Sequence, residues 1–245
     1  YYLISIPFII IMVFLANALQ VQGGQTPPKV KCFDEDTLIT MNDGTKKKII
    51  DIQVGDLLQE GNEVTATFKL DAADTTMYHL EDITVSNSHI LYYNGKWIHV
   101  SEHPDAIKYA SYQKPYLYCL NTANKRLLIN GITFTDWDEL YGNDIIEIKN
   151  NGIVRIDRAE DIHTYFEGGF AGTTKIKLKN GTYKEIKDIC VDDILERGEN
   201  IYGIVKINGK NISEQFKYNL GNTIVEGGPN LPICDRTVRA KSTLY

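Results

Sequence analysis

The four cysteines, Cys32, Cys119, Cys190 and Cys234, form no CxxC pair and no metal-ligand spacing with the five histidines. Four cysteines in 245 residues are also too sparse for a disulfide framework. No cofactor and no metal are therefore implied. A basic surplus is missing too: 26 Lys+Arg against 32 Asp+Glu leave a formal charge of −6, which speaks against a general nucleic-acid binder. The aromatic stretch "YASYQKPYLY" has too few basic residues between its rings for base stacking and reads as packing. Disorder is equally absent, since 43% of residues are apolar and 10% aromatic. Outside the N-terminus no segment sustains a 3.6-residue apolar period.

What is present begins with "YYLISIPFIIIMVFLANAL", Tyr1 to Leu19, which carries no charge. Its length suits a membrane-spanning helix over residues 1–20. A signal peptide is the rival reading, because Ala16-Asn17-Ala18 resembles a small-residue cleavage site, although no basic region precedes the apolar run. The start at Tyr1 leads us to expect sequence upstream. Residues 21–31 read as a juxtamembrane linker with a flexible Gly pair and an extended Pro pair. Lys29, Lys31 and Lys46–Lys48 lean the following domain toward the cytosolic side. The expected localisation is a membrane, with one span and a cytosolic β domain. The oligomeric state is not legible.

From Cys32 onward the patterns are of strand type. "TLITM", "EVTATFKL", "ITVSNSHILYY" and "KWIHV" are short, rich in β-branched and aromatic residues, and separated by turn signals such as Asn42-Asp43-Gly44 and Asn94-Gly95. The soluble part is predicted to be all-β. It also repeats itself: residues 32–70 lie ungapped over residues 169–207, with 14 of 39 positions identical. After a three-residue gap, "MYHLEDITVSNSHIL" continues over "KYNLGNTIVEGGPNL". Gly169 stands where Cys32 stands, and Pro229 where His89 stands. A framework whose second copy lacks one thiol and one imidazole suggests that these two do chemistry in the first copy.

Three blocks in order carry a family resemblance. "CFDEDTLITMNDGTKKKIIDIQVGDLL" is similar to the opening block of the Hint (hedgehog and intein) self-processing family. "VSNSHIL" resembles its second block, with Ser86 three residues before His89, and "YLYCLNTANKRLLINGITFTDWD" its terminal block. The resemblance implies an all-β horseshoe of short strands with internal pseudo-two-fold duplication, here joined to an N-terminal transmembrane helix. It points to a membrane-anchored, viral or protist-like kind without a splicing C-terminus. The expected organisation is a Hint-like domain over 32–140, connecting strands over 141–165, and a degenerate second β unit over 166–245.

The chemistry follows from residue types. A cysteine can attack the carbonyl of the peptide bond just ahead of it, here Lys31–Cys32, exchanging an amide for a thioester. The departing nitrogen needs a proton, for which His89, with an ordinary pKa near ~6.5, is suited. Ser86 is expected to donate a hydrogen bond to the amide or to orient the imidazole. The expected function is cleavage at Lys31–Cys32, freeing the domain from its anchored N-terminal part, its own substrate. The alternatives are an inactive, membrane-anchored Hint-fold scaffold and an assembly protein. Full splicing is disfavoured because Thr135, Asp136 and Trp137 stand where splicing members have His-Asn and a nucleophile. Cys119 replaces a family Asp and reads either as an acyl acceptor or as a buried apolar residue, and Asp136 is a further candidate. His79, His99, His103 and His163 have no comparable support, although Asp105 beside His103 makes a conceivable orienting pair. Cys190 and Cys234 read as packing or surface residues, and Asn180 and Asn211 begin N-x-S/T sequons.

Overall fold

A computed structural model describes residues 9–16, 30–137, 169–208, 216–219, 224–227, 232–233 and 236–237. The expectations for residues 1–8, 17–29 and 138–168, and for His163, Asn211, Pro229 and Cys234, lie outside these residues. Every regular element among the described residues is a strand or a single 3-10 turn, so the chain there is all-β. In chain order the strands are β1 (Ile9–Ala16), β2 (Leu38–Thr40), β3 (Lys46–Lys48), β4 (Leu57–Leu58), β5 (Asn62–Asp71), β6 (Met77–Leu80) and β7 (Ile83–Ser86). They continue with β8 (Ile90–Tyr93), β9 (Lys96–His99), β10 (Ile107–Lys108), β11 (Tyr116–Thr122), β12 (Arg126–Ile129), β13 (Ile132–Thr135) and β14 (Phe170–Ala171). The last are β15 (Lys175–Lys177), β16 (Tyr183–Glu185), β17 (Asn200–Asn208), β18 (Phe216–Asn219), β19 (Ile224–Gly227), β20 (Pro232–Ile233) and β21 (Arg236–Thr237).

The expectation of a transmembrane helix is corrected. Ile9–Ala16 is a strand, paired with β17 along its whole length and with β14 at Ile10 and Ile11. No helix among the described residues is long and apolar enough to cross a membrane. The membrane localisation, and the cytosolic side inferred from it, fall with that helix. The physical reason is that hydropathy reports burial and not the element that is buried. A short, continuous apolar run does not by itself separate a strand from a helix, and Ile and Val are residue types that strands favour.

The main sheet runs β11-β5-β17-β1-β14-β19-β18, with β4 added to β5. β5 shows why the sequence folds this way: Val64, Ala66, Phe68 and Leu70 alternate inward with period two. They join a core that holds Cys32, Phe33, Val85, Leu117, Cys119 and Phe134. A second core gathers Leu178, Ile186, Ile189, Val191, Ile201 and Ile204.

The duplication read from the sequence is present in the backbone. β2 pairs β3 through Leu38↔Lys48, and β15 pairs β16 through Lys175↔Glu185, a constant offset of 137 residues. The two hairpin turns match bond for bond: Met41 N donates to Thr45 O and Leu178 N to Thr182 O. Each turn needs a left-handed residue, supplied by Gly44 (φ 81°) and Gly181 (φ 84°). After the alignment gap the offset becomes 140, and Met77↔Ser86 in β6–β7 corresponds to Lys217↔Glu226 in β18–β19.

Phe134 is fully buried, edge-on to Phe33 at 5.1 Å and to His89 at 5.5 Å. Phe134→Ala should destabilise the fold by about 3–5 kcal/mol, read as a lower urea midpoint with an unchanged slope.

Candidate active site

The chain enters the first unit at Cys32 as one residue pair of strand laid between β7 and β11. Phe33 N donates to Tyr118 O at 2.7 Å and Tyr118 N returns the bond to Phe33 O at 2.9 Å. On the other side Ser86 N donates to Cys32 O at 2.9 Å and Asp34 N to Thr84 O at 2.9 Å. Because β7 ends at Ser86, the remaining donor, Cys32 N, meets a side chain: it donates to Ser86 Oγ at 2.9 Å. That nitrogen belongs to the Lys31–Cys32 peptide. Ser86 was expected to donate toward this amide, and here its oxygen accepts instead.

The Ser86–His89 spacing is a turn. His89 N donates back to Ser86 O at 3.1 Å, so three residues carry the chain from the end of β7 to the imidazole. Ser88, inside that turn, was not singled out from the sequence. Its hydroxyl donates to Val30 O at 2.9 Å, holding the segment ahead of the Lys31–Cys32 bond. Its own carbonyl accepts from His99 Nδ1 at 3.1 Å. A second serine between Ser86 and His89 was the available signal, but a serine has no distinguishing spacing until the turn is seen.

His89 is fully buried, its ring 4.4 Å from that of Phe33. Nε2 lies 2.9 Å from Thr135 O. A carbonyl can only accept, so Nε2 carries the ring proton and Nδ1 carries the lone pair. Nδ1 has no hydrogen-bond partner. Burial drives the imidazole pKa down to about 3, with the Thr135 carbonyl opposing and the Lys31 charge adding to the shift. His89 therefore rests as a neutral base, whereas an imidazole titrating near its ordinary value was expected. Cys32 is fully buried beside Cys119, and burial, reinforced by the hydrogen bond and charge of that second thiol, raises its pKa. Cys119 is itself fully buried on β11, opposite Phe68, with Sγ 3.7 Å from Leu120 O. Cys32 and His89 thus both rest uncharged, with the Lys31 charge close enough to act on the imidazole.

The flank of the site is ionic. Lys114 Nζ donates to Asp34 Oδ1 at 3.0 Å and also binds Asp36, while Tyr112 OH donates to Asp34 Oδ2 at 2.9 Å. These bonds tie the residues after Cys32 to the loop before β11. In the second unit Gly169, Ala171 and Thr173 occupy the positions of Cys32, Asp34 and Asp36, and neither the thiol nor the clamp is there.

The remaining candidates sit elsewhere. Asp136 is buried, and its Oδ2 accepts from Thr122 N at 3.0 Å, closing the end of β11. His79 Nδ1 lies 3.0 Å from Thr84 Oγ1. His103 Nδ1 accepts from the backbone N of Asp105 at 3.2 Å, a turn contact made without the Asp105 carboxylate. Cys190 is exposed. Among the described residues no group of three or more His, Cys, Asp or Glu side chains could hold a metal ion.

No family model and no curated protein matches the chain. Among solved structures the chain is similar to the crystal structure of the gp41-1 intein, at 19% identity and a TM-score of 0.31, covering 44% of this chain and 99% of that one. It is also similar to a substituted form of that intein, at 22% identity and a TM-score of 0.33, over 44% of this chain and 100% of that one. At that degree of likeness neither decides the fold or the chemistry of this chain.

The depressed imidazole makes stability depend on pH. Between an unfolded pKa of ~6.5 and a folded value of about 3, the unfolded chain binds a proton that the folded chain refuses. Stability contributed by neutral His89 is therefore complete above pH ~6.5 and is lost at up to about 1.4 kcal/mol per pH unit as pH falls, levelling off near pH 3. Urea unfolding at pH 7 and pH 4.5 should show this loss in the parent chain. His89→Gln should lose less over the same interval.

Proposed function

We propose that the chain is a Hint-like self-processing protein that breaks its own Lys31–Cys32 bond. The supporting observation is the pairing of Cys32 N with Ser86 Oγ at a buried site that also contains Cys32, Cys119 and His89. The three-block sequence resemblance points the same way.

In this reading His89 Nδ1 takes the Cys32 thiol proton and the thiolate attacks the Lys31 carbonyl carbon. The Lys31 C–N bond breaks, and the imidazolium returns the same proton to the departing Cys32 nitrogen. The product is a thioester from Lys31 to Cys32 Sγ with a free α-amine on Cys32. Water or an added thiol then opens the thioester and restores the cysteine. An imidazolium with a pKa of about 3 is a strong acid, which favours the return step. Forming it from a thiol of raised pKa is the costly one. Ser86 directs the N–H of the bond to be broken, and Ser88 holds Val30 on its other side. Cys119, hydrogen-bonded to Cys32, is the candidate second thiol to accept the acyl group. Splicing is not part of the proposal, since Thr135-Asp136-Trp137 offers no asparagine to cyclise.

A second reading, a Hint-fold scaffold that no longer cuts, is favoured by the same buried, uncharged pair. The two separate in one experiment. The purified chain is incubated with dithiothreitol or hydroxylamine and its denatured mass is measured. Autoprocessing gives fragments 1–31 and 32–245, with none from Cys32→Ala and a rate lowered about 10²–10⁴-fold in His89→Ala. An uncut parent chain leaves the scaffold.

A further inference from the structure

β1 has a counterpart in the first unit. Ile11 faces Phe170 on one side and Lys206 on the other, just as Tyr118 faces Phe33 and Lys69. Phe170 and Lys206 are Phe33 and Lys69 displaced by 137 residues, the offset of the repeat. The irregularity matches as well: β11 shifts register between Asn121 and Thr122, where its partners go from Ala66 to Val64. β1 shifts between Phe14 and Leu15, where its partners go from Gly203 to Ile201. These partners again differ by 137. The strand that completes the second unit thus comes from ahead of Cys32, across the bond proposed to break.

We infer that a chain broken at Lys31–Cys32 stays in one piece, with the N-terminal fragment retained by β1 as an inserted strand of the second unit. Only the origin of the break rests on the autoprocessing reading; the retention rests on strand pairing. β1 pairs eight residues with β17 and two with β14, so both of its edges are engaged. An extended segment bound in this way draws its affinity from main-chain hydrogen bonds along its length. In the sheet order β11-β5-β17-β1-β14-β19-β18, β1 is the link between β17 and β14 among the described residues. Its loss would leave both with open edges, which sheets avoid. The cut itself falls at residue 31, fifteen residues after Ala16, and removes none of these pairs. The partner of the second unit is therefore the chain's own cleaved N-terminal fragment, and the cut changes connectivity while leaving the sheet assembled.

The test separates retention from self-cleavage. A site-specific protease sequence is inserted between Gly24 and Gln25 of Cys32→Ala, the chain is cut to completion, and the products are run on a native sizing column. Both fragments should elute together at the volume of the uncut chain and part only in denaturant. Val13 faces Ile204 in mid-strand, and a proline there breaks the ladder, so Val13→Pro should shed the fragment at least about tenfold faster. As a measurement needing no variant, hydrogen exchange on the uncut parent should show amides of residues 9–16 protected like those of β5. Separate elution of the fragments of the protease-cut Cys32→Ala chain, or exchange over residues 9–16 of the parent at free-peptide rates, overturns the inference. An uncleaved parent in dithiothreitol bears on self-cleavage alone.

Discussion

The site depends on how residues 32 and 33 are laid into the sheet. Backbone bonds to Ser86 and Thr84 on one side and to Tyr118 on the other leave this short stretch no freedom to turn. They also decide which atoms are left over. Cys32 N reaches beyond the end of β7 and is met by Ser86 Oγ, so the peptide bond at the entrance to the fold has its nitrogen pinned by a side chain. The turn from Ser86 to His89 and the clamp from Lys114 and Tyr112 onto Asp34 build outward from that strand. Removing the strand pairing would unseat the thiol, the imidazole and the clamp together.

Burial gives the site its electrical character. A thiol and an imidazole fully out of water both rest neutral, because each charged form would lose hydration that the surrounding Phe33 and Phe134 rings cannot replace. The same burial keeps bulk water away from the thiol and the imidazole.

The duplicated framework separates shape from chemistry. Both units use the same turn, the same hairpin register and the same lysine–aspartate bond, Lys47–Asp56 in one and Lys184–Asp193 in the other. They meet through equivalent strands: Phe68 pairs with Val205, its own counterpart displaced by 137 residues, and Leu70 with Gly203. That arrangement places β5 and β17 back to back about a local two-fold, with β11 outside one and β1 outside the other. The second unit keeps the hairpin register, the turn and the lysine–aspartate bond, but has Gly169 in place of Cys32 and Pro229 in place of His89.

Much of this was legible in the residues. Alternation along Asn62–Asp71, Gly at the hairpin turns and the 137-residue offset are local or repetitive signals, and none needs a distant partner to be seen. Cys32 and His89 stand out by position and by their absence from the second copy, and Ser86 by its place three residues before His89. Ser88 and the protonation state of His89 do not, since a hydroxyl partner and a desolvation cost are set by residues distant in sequence. The N-terminal apolar run was misread for the same reason. By itself the sequence determined that Ile9–Ala16 must be buried, because such a segment without charge cannot favourably stay in water. The tertiary structure makes the segment a strand, because β17 along its length and β14 at Ile10 and Ile11 offer the hydrogen-bond partners that a helix would have found within itself.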